Sequence, residues 1–390
     1  MLGQQHTHRN IIPSVIVNKS DQQLRTIKFI SVERSHFFPT LKKRVDDFFV
    51  QQGLSKYGGK RLFIKTAVLF AAYLLPYMLL LLWTPMFSVS LLLWFIMGLG
   101  MAGLGMSVMH DANHGAYSSN KSMNWIMAHV LNIMGGSTQN WKMQHNILHH
   151  TFTNITNMDD DIGSKPGLRL SPHTSVSGIH RYQWMYAFLL YGISTLYWVT
   201  AKDFLQFFRY RRRQVSGAKN TSPLLALLKL AILKIVYFGF FLVLPTALTS
   251  IPFIEVLAGF LLMHFVAGLV LTIVFQLAHS VEGTDHPLPD RDGRVDNQWA
   301  IHQMNTTMNF AADNKWLSWY VGGLNFQIEH HLFPKISHVH YPSIANIVET
   351  TAAEFDIPYL NHPTFADAFK AHVFFLKKLG KLPELDTAIG

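Results

Sequence analysis

An all-α, polytopic membrane fold is predicted by three features of the sequence. Hydrophobic residues make up 49% of the 390 positions, while charged residues make up only 14%. The apolar residues gather in four blocks, each close to the roughly 20 residues that a helix needs to cross a bilayer. Very short links separate the first block from the second and the third from the fourth, so the blocks read as two transmembrane helical hairpins. A cytoplasmic helical cap completes the predicted architecture.

The first hairpin pairs a span over about 66–83 with one over about 87–109, joined by the tip Thr84-Pro85-Met86. The second pairs spans over about 231–250 and 256–278, turning near Pro252 and Glu255. Lys and Arg crowd residues 1–64 and the stretch "RYRRRQ" at 209–214, whereas the hairpin tips carry neither. The positive-inside rule then puts both termini and the long middle segment in the cytoplasm. The formal net charge of +10 is explained by this topology and by anionic headgroups, and it argues for no nucleic-acid partner.

A fifth apolar stretch, "WMYAFLLYGISTLYWVTA" at 184–201, is just long enough to span. A fifth crossing would leave the histidine clusters of the chain on opposite faces, and Trp and Tyr favour the membrane interface. The stretch is therefore predicted to lie in or dip into that interface. The chain divides into a basic segment 1–64, a membrane domain 65–345 and a cytoplasmic C-terminal segment 346–390. The opening "MLGQQHTHRNIIPSV" has no apolar signal-peptide core and is expected to be retained.

With no cysteine, the chain has no disulfide, thiolate zinc site, cysteine-held iron–sulfur cluster or thiol nucleophile. Histidine is abundant instead, at 21 residues. "HDANH" carries His110 and His114, four apart and so on one helix face. In "HNILHH", His145 and His149 would share a face, with His150 offset enough to serve a neighbouring ion. "QIEHH" supplies Gln327, His330 and His331, and "FQLAHS" ends the last span on His279. The predicted topology puts all four places at one membrane surface. Two adjacent His-His pairs are hard to assign to core packing. Eight imidazoles exceed the four ligands of a tetrahedral zinc and suit two ions, with iron the natural candidate.

These boxes, in this order and beside two hairpins, resemble the membrane fatty acid desaturase family over residues 65–345. Gln327 at the head of the third box, with "FQLAHSVEG" and "HQMNTTMNFA", resembles the front-end and linoleoyl-CoA desaturase-like branch. The resemblance implies a di-iron centre held by His110, His114, His145, His149, His150, His279, His330 and His331. It implies dioxygen as co-substrate, and a cis double bond and water as products. The substrate would be a long-chain acyl-CoA or acyl-lipid. The haem motif H-P-G-G of a fused cytochrome b5 is missing, since neither His286-Pro287 nor His362-Pro363 is followed by Gly-Gly. Electrons are therefore expected from a separate ferredoxin or cytochrome b5-type donor with its reductase.

Asp111, Asp159, Asp160, Asp161 and Glu329 flank the boxes, and metal-bound imidazoles usually donate to a carboxylate or carbonyl. Asp161 and Glu329 are the preferred candidates for that supporting role, with Gln327, His302 and Asp111 as further metal or supporting groups. His6, His8, His36, His173 and His180 read as surface groups. Asn113, Trp141 and Asn154 are placed to line an acyl channel. Lys142 and Arg211–Arg213 are read first as topology signals and second as headgroup contacts.

Related boxes also serve lipid hydroxylases and sphingolipid- or carotenoid-modifying oxygenases, which the residues alone leave open. A cation transporter would place ligands at mid-membrane on broken helices, not at span ends. A zinc hydrolase would be expected to carry H-E-x-x-H, which is missing.

Overall fold

A computed structural model describes residues 27–30, 36–163, 167–219 and 221–383. His6 and His8, and most of the basic segment before residue 36, lie outside the described residues. The described chain is mostly helical, with two short parallel strand pairs: Lys28–Phe29 with Arg294–Val295, and Asn309–Phe310 with Asn361–His362.

Helix α1 (Phe37–Gln51) buries Phe37, Leu41, Val45 and Phe49, a four-residue period that makes one apolar stripe. It belongs to the region read from sequence simply as a basic segment. Four helices are long and apolar enough to cross a membrane: α2 (Gly59–Trp83), α3 (Phe87–His114), α7 (Pro223–Leu248) and α8 (Phe253–His279). Each runs beyond its predicted span at one end or both. Polar residues such as Lys65 and His110 extend the helices past their apolar blocks because buried partners satisfy them.

Between the pairs lie α4 (Lys121–Ala128), α5 over 138–152 and α6 over 183–212. After α8 come α9 (Trp299–Thr306), α10 (Lys315–Tyr320), α11 (Gln327–Leu332), α12 (Tyr341–Glu354) and α13 (Phe365–Leu379). Helix α12 packs on α1 around Tyr341, Ile344 and Val348, and Arg44 grips Glu354 through both carboxylate oxygens. This layer holds α11, the helix of the third histidine box, against the ends of the long helices.

The long helix α8 is central. It packs against α3 on one side and α6 on the other, and both contacts depend on glycine. A Cβ on Gly98 would sit 2.7 Å from the Met263 carbonyl, and one on Gly268 would sit 2.6 Å from the Gly192 carbonyl. Helix α6, which contains the ambiguous fifth stretch, is not among the four candidate spans. Its start bonds Arg169 and the Leu376 carbonyl through Gln183, and its end reaches Asp160 through Tyr210. Both ends therefore stay beside the histidine end of α8.

Exposed side chains on α7 (Leu224, Leu228, Ile232, Ile235, Val243) and on α2 (Ile64, Leu75, Leu82) form apolar faces suited to lipid. Inside that apolar mass, Lys234 of α7 pairs with Asp203 of α6 at 2.6 Å and also donates to the Gly135 carbonyl. Asp203 in turn accepts from the Ser137 backbone and the Trp198 indole. Both side chains are buried, so removing one charge strands the other. Asp203→Ala is expected to cost about 3–5 kcal/mol. The check is the thermal unfolding midpoint in detergent, with Asp203→Leu/Lys234→Met expected to recover much of the loss.

Candidate metal centre

All eight predicted box and span-end histidines meet in one buried nest. The π-type winding at 104–109 delivers His110 and His114 at the cytoplasm-facing end predicted for α3, and the same winding recurs at 143–149 inside α5. Ring nitrogens of His110, His114, His145 and His330 lie within 4.8 Å of one another. So do those of His149, His279 and His331. His150 stands between the two groups: its Nε2 is 3.2 Å from His145 Nε2, and it also clusters with His330 and His331.

His145 and His149 lie on one face of the winding at 143–149: their rings stack at 5.2 Å and their nitrogens group with Asp161, while His145 also joins the first-box histidines and His149 also faces His279 and His331.

Four of the outward nitrogens are held, while the Nδ1 atoms of His110 and His150 have no partner among the described residues. Asp159 Oδ2 is 2.9 Å from His149 Nδ1, and Gln303 Oε1 is 2.7 Å from His331 Nδ1. Tyr341 OH stands 3.2 Å from His330 Nδ1, and the Thr306 carbonyl 3.3 Å from His279 Nδ1. The inward Nε2 atoms of His114, His149, His279, His330 and His331 are buried and have no hydrogen-bond partner among the described residues. A buried acceptor without a partner is costly, so this convergence calls for an electrophile at the centre. The outward bonds fix the tautomer that leaves Nε2 bare, the arrangement expected around a bound metal.

Electrostatics agree. Burial, followed by the neighbouring imidazoles, pushes His145, His150, His330 and His331 well below the ordinary imidazole range, into the neutral form that ligates. His149 differs: burial opposes its charge, but the Asp159 carboxylate, assisted by Asp161, outweighs burial and raises it. A nitrogen-rich set with neither thiolate nor several carboxylates fits a borderline transition-metal ion.

The supporting residues differ from those preferred on sequence. Asp159 holds His149, whereas Asp161 is 3.8 Å away and accepts from Gln144 instead. Asp161 still falls within a cluster with His145 and His149. Glu329 bonds Asn309 and Tyr359, and burial raises it to about 7. Asp111 bonds Ser337 and His338, and His338 continues to the Lys65 ammonium at 3.0 Å. Glu329 and Asp111 make no hydrogen bond to a box imidazole, because each is turned towards the helices behind its own box. His302 is buried against the Phe29 ring and joins none of the histidine groups. Gln327 is buried and faces an apolar cavity beside the histidines. Gln303 and Tyr341 have no signal in the sequence beyond position; Gln303 stands one residue from His302 in "WAIHQMNTT". His180, read as a surface group, is buried and bonds the Ser177 backbone.

The cavity, largely apolar and about 220 Å³ in volume, opens onto the first group at His110, His145 and His330. Met106, Met109, Trp141, Tyr191, Leu271 and Phe275 form much of its wall, and Trp141 stacks on His145 at 4.3 Å. Asn113 and Asn154 do not line it. Asn113 bonds the Met109 carbonyl, and Asn154, at φ 59°, ties together the carbonyls of His279, Asp285 and Thr306.

Among the described residues, four helices able to cross a membrane, a buried polyhistidine nest that could hold metal and an adjoining, largely apolar cavity stand together. Comparison with known proteins gives the class. The family model for fatty acid desaturases matches residues 87–363, and this chain belongs to that family of oxidoreductases. It is 35% identical to an sn-1 linoleoyl-lipid 6-desaturase of Synechocystis sp., covering 91% of this chain and 98% of that protein. A protein of the same description from Arthrospira platensis is 34% identical, over 89% and 94%. An acyl-lipid (8-3)-desaturase of Physcomitrium patens is 35% identical, over 91% of this chain and 74% of that one.

Asp159→Asn removes the carboxylate behind His149 and is expected to weaken metal retention about 10–100-fold while leaving the fold intact. Dialysis against graded chelator, followed by elemental analysis, measures this directly. Unchanged retention would make Asp159 merely structural.

Proposed function

We propose that the chain introduces a cis double bond into a long acyl chain carried by a membrane lipid. The observation that carries this reading is the set of bare, convergent imidazole nitrogens at the end of an apolar cavity. His110, His114, His145, His149, His150, His279, His330 and His331 would hold two iron ions. When bound, these ions and dioxygen supply the oxidising power to remove two hydrogens from unactivated methylenes, which no side chain offers.

Overall, dioxygen gains two hydrogens from the chain, plus two electrons and two protons, and leaves as two waters. The electrons come from a separate donor, of ferredoxin or cytochrome b5 type, with its reductase. The protein's own part is positional. Asp159, Gln303, Tyr341 and the Thr306 carbonyl fix the imidazoles. The methionine- and aromatic-lined wall excludes water and holds the acyl chain against His110, His145 and His330.

The same reading takes α2–α3 and α7–α8 as two hairpins, with the histidines, α1, α9–α13 and both termini on the cytoplasmic side. The Lys and Arg distribution supports this sidedness. The relatives are named for acyl-lipid substrates, which favours a lipid over CoA as carrier.

Elemental analysis of detergent-purified protein is expected to find about two irons per chain, with clear loss in His149→Ala. Lipids from expressing cells should then gain a double bond. Zinc alone in protein prepared to retain iron, or a hydroxylated product without a new double bond, would overturn the proposal.

The cavity can be tested apart from the metal. Gly105 lines it, and a Cβ there would lie 3.3 Å from Leu271. Gly105→Phe is expected to fill the space and lower turnover by about tenfold or more with iron content retained. Full turnover would place the acyl chain elsewhere.

A further inference from the structure

A second cavity, also about 220 Å³, lies across α5 from the apolar one. Its lining is mixed: His129, Asn132, Thr138, Asn140, Arg211 and Lys229 make a polar half, Met143, Phe207, Leu230 and Leu233 are in the apolar half, and no carboxylate lines it. Two cations thus face one cavity without a counter-charge in its wall. The nearby Asp203 is already engaged by Lys234 and the Ser137 backbone. Arg211 is fixed in place by bonds from Nη1 to the Ala218 and Thr221 carbonyls.

The setting is the lipid-facing surface. Lys229 stands on α7 between exposed Leu225, Leu228 and Ile232. Across from it, exposed Trp125 of α4 packs on the cavity residue His129, ring centroids 4.2 Å apart. A lysine six residues inside an apolar helix is long enough to carry its ammonium back to the headgroup level. A water-soluble carrier meets apolar side chains on this approach, whereas a membrane lipid already lies there.

The two cavities share walls. Helix α5 presents Trp141, Gln144 and His145 to the apolar cavity, but Asn140 and Met143 to the mixed one. Helix α6 turns Trp198 and Lys202 to the first, and Phe207 and Arg211 to the second. The separation is about one helix diameter, roughly 10 Å.

We propose that the second cavity is the phosphate subsite for the membrane glycerolipid whose acyl chain enters the apolar cavity. The substrate part of this proposal rests on the desaturase reading; the binding part does not.

The test uses the full-length, iron-loaded protein in detergent, titrated with dioctanoyl phosphatidylglycerol, dioctanoylglycerol, CoA and inorganic phosphate, and read by native mass spectrometry. Only the phospholipid is expected to bind saturably. Lys229→Glu should weaken it about tenfold, Lys229→Arg should preserve it, and Lys121→Glu, an exposed charge of α4 outside the cavity, should leave it unchanged. With a phospholipid-borne acyl chain as substrate, Lys229→Glu should raise KM and leave kcat.

Equal weakening by Lys121→Glu would mean diffuse surface charge and overturn the subsite. So would equal binding of the uncharged lipid, CoA or free phosphate, or a fall in kcat with KM unchanged. If the phospholipid binds as expected but no new double bond forms with any carrier, the desaturase reading fails and the binding site stands. Iron content, expected to be equal in all variants, keeps the two failures apart.

Discussion

The burial of so many imidazoles in one place is the constraint on which the rest of the structure depends. To ligate, an imidazole must be neutral and present one nitrogen inwards, and at His149, His279, His330 and His331 the outward nitrogen has its own partner. Burial supplies the first condition at His145, His150, His330 and His331 by disfavouring the imidazolium form, whereas at His149, raised by Asp159, a bound metal ion would have to displace the proton. The second and third require side chains from many parts of the chain: Asp159 in a loop after α5, Gln303 on α9, Tyr341 at the start of α12 and the carbonyl at the end of α9. The layer of α1 and α12 over α11 serves the same end, because a short box helix has too little surface of its own to stay in place.

That constraint also explains departures from regular helix. Winding is widened to π type where the first box begins and again through the second. Each widening inserts a residue into the turn and re-aims the side chains beyond it, so that neighbours in sequence serve different groups. His149 and His150 illustrate it: one pairs with Asp159 and faces His279, the other reaches His145. Asn154 and Asn157, both at positive φ, then reverse the chain tightly enough to bring Asp159 back to His149.

Much of this is legible in the sequence, and the remainder has identifiable physical reasons. The spans are readable because lipid-facing helices are apolar on nearly every side, and the ligand boxes because imidazole pairs are rare. The boundaries are less so: Lys65, His110 and His279 lie in helix continuous with the spans, and only their buried partners make that possible. Helix α1 is hidden because its stripe of Phe37, Leu41, Val45 and Phe49 is diluted by exposed Lys42 and Lys43 and by Arg44, which reaches Glu354 of α12. The supporting residues are least visible. Sequence proximity favours Asp161 and Glu329 and offers Asp111, yet a residue next to a ligand on a helix, as Asp111 and Glu329 are, points about 100° away from it. Asp111 accordingly serves His338, and Glu329 serves Asn309 and Tyr359. Partners such as Gln303 come from elsewhere in the chain, and their link to a box exists only once the chain is folded.

The helix 138–152 shows why the metal centre and substrate access are one problem. It carries the second box, yet its opposite face looks into a partly polar cavity at the lipid surface. Ser137 and Asn140 at its start are bonded to Asp203, which is held by Lys234 of a membrane helix. The buried ion pair therefore anchors the element that positions His145, His149 and His150. A lysine and an aspartate in such surroundings contribute little net stability over an apolar pair of the same size. What they fix is where α5 begins relative to α6 and α7, and hence where its histidines stand against the apolar cavity.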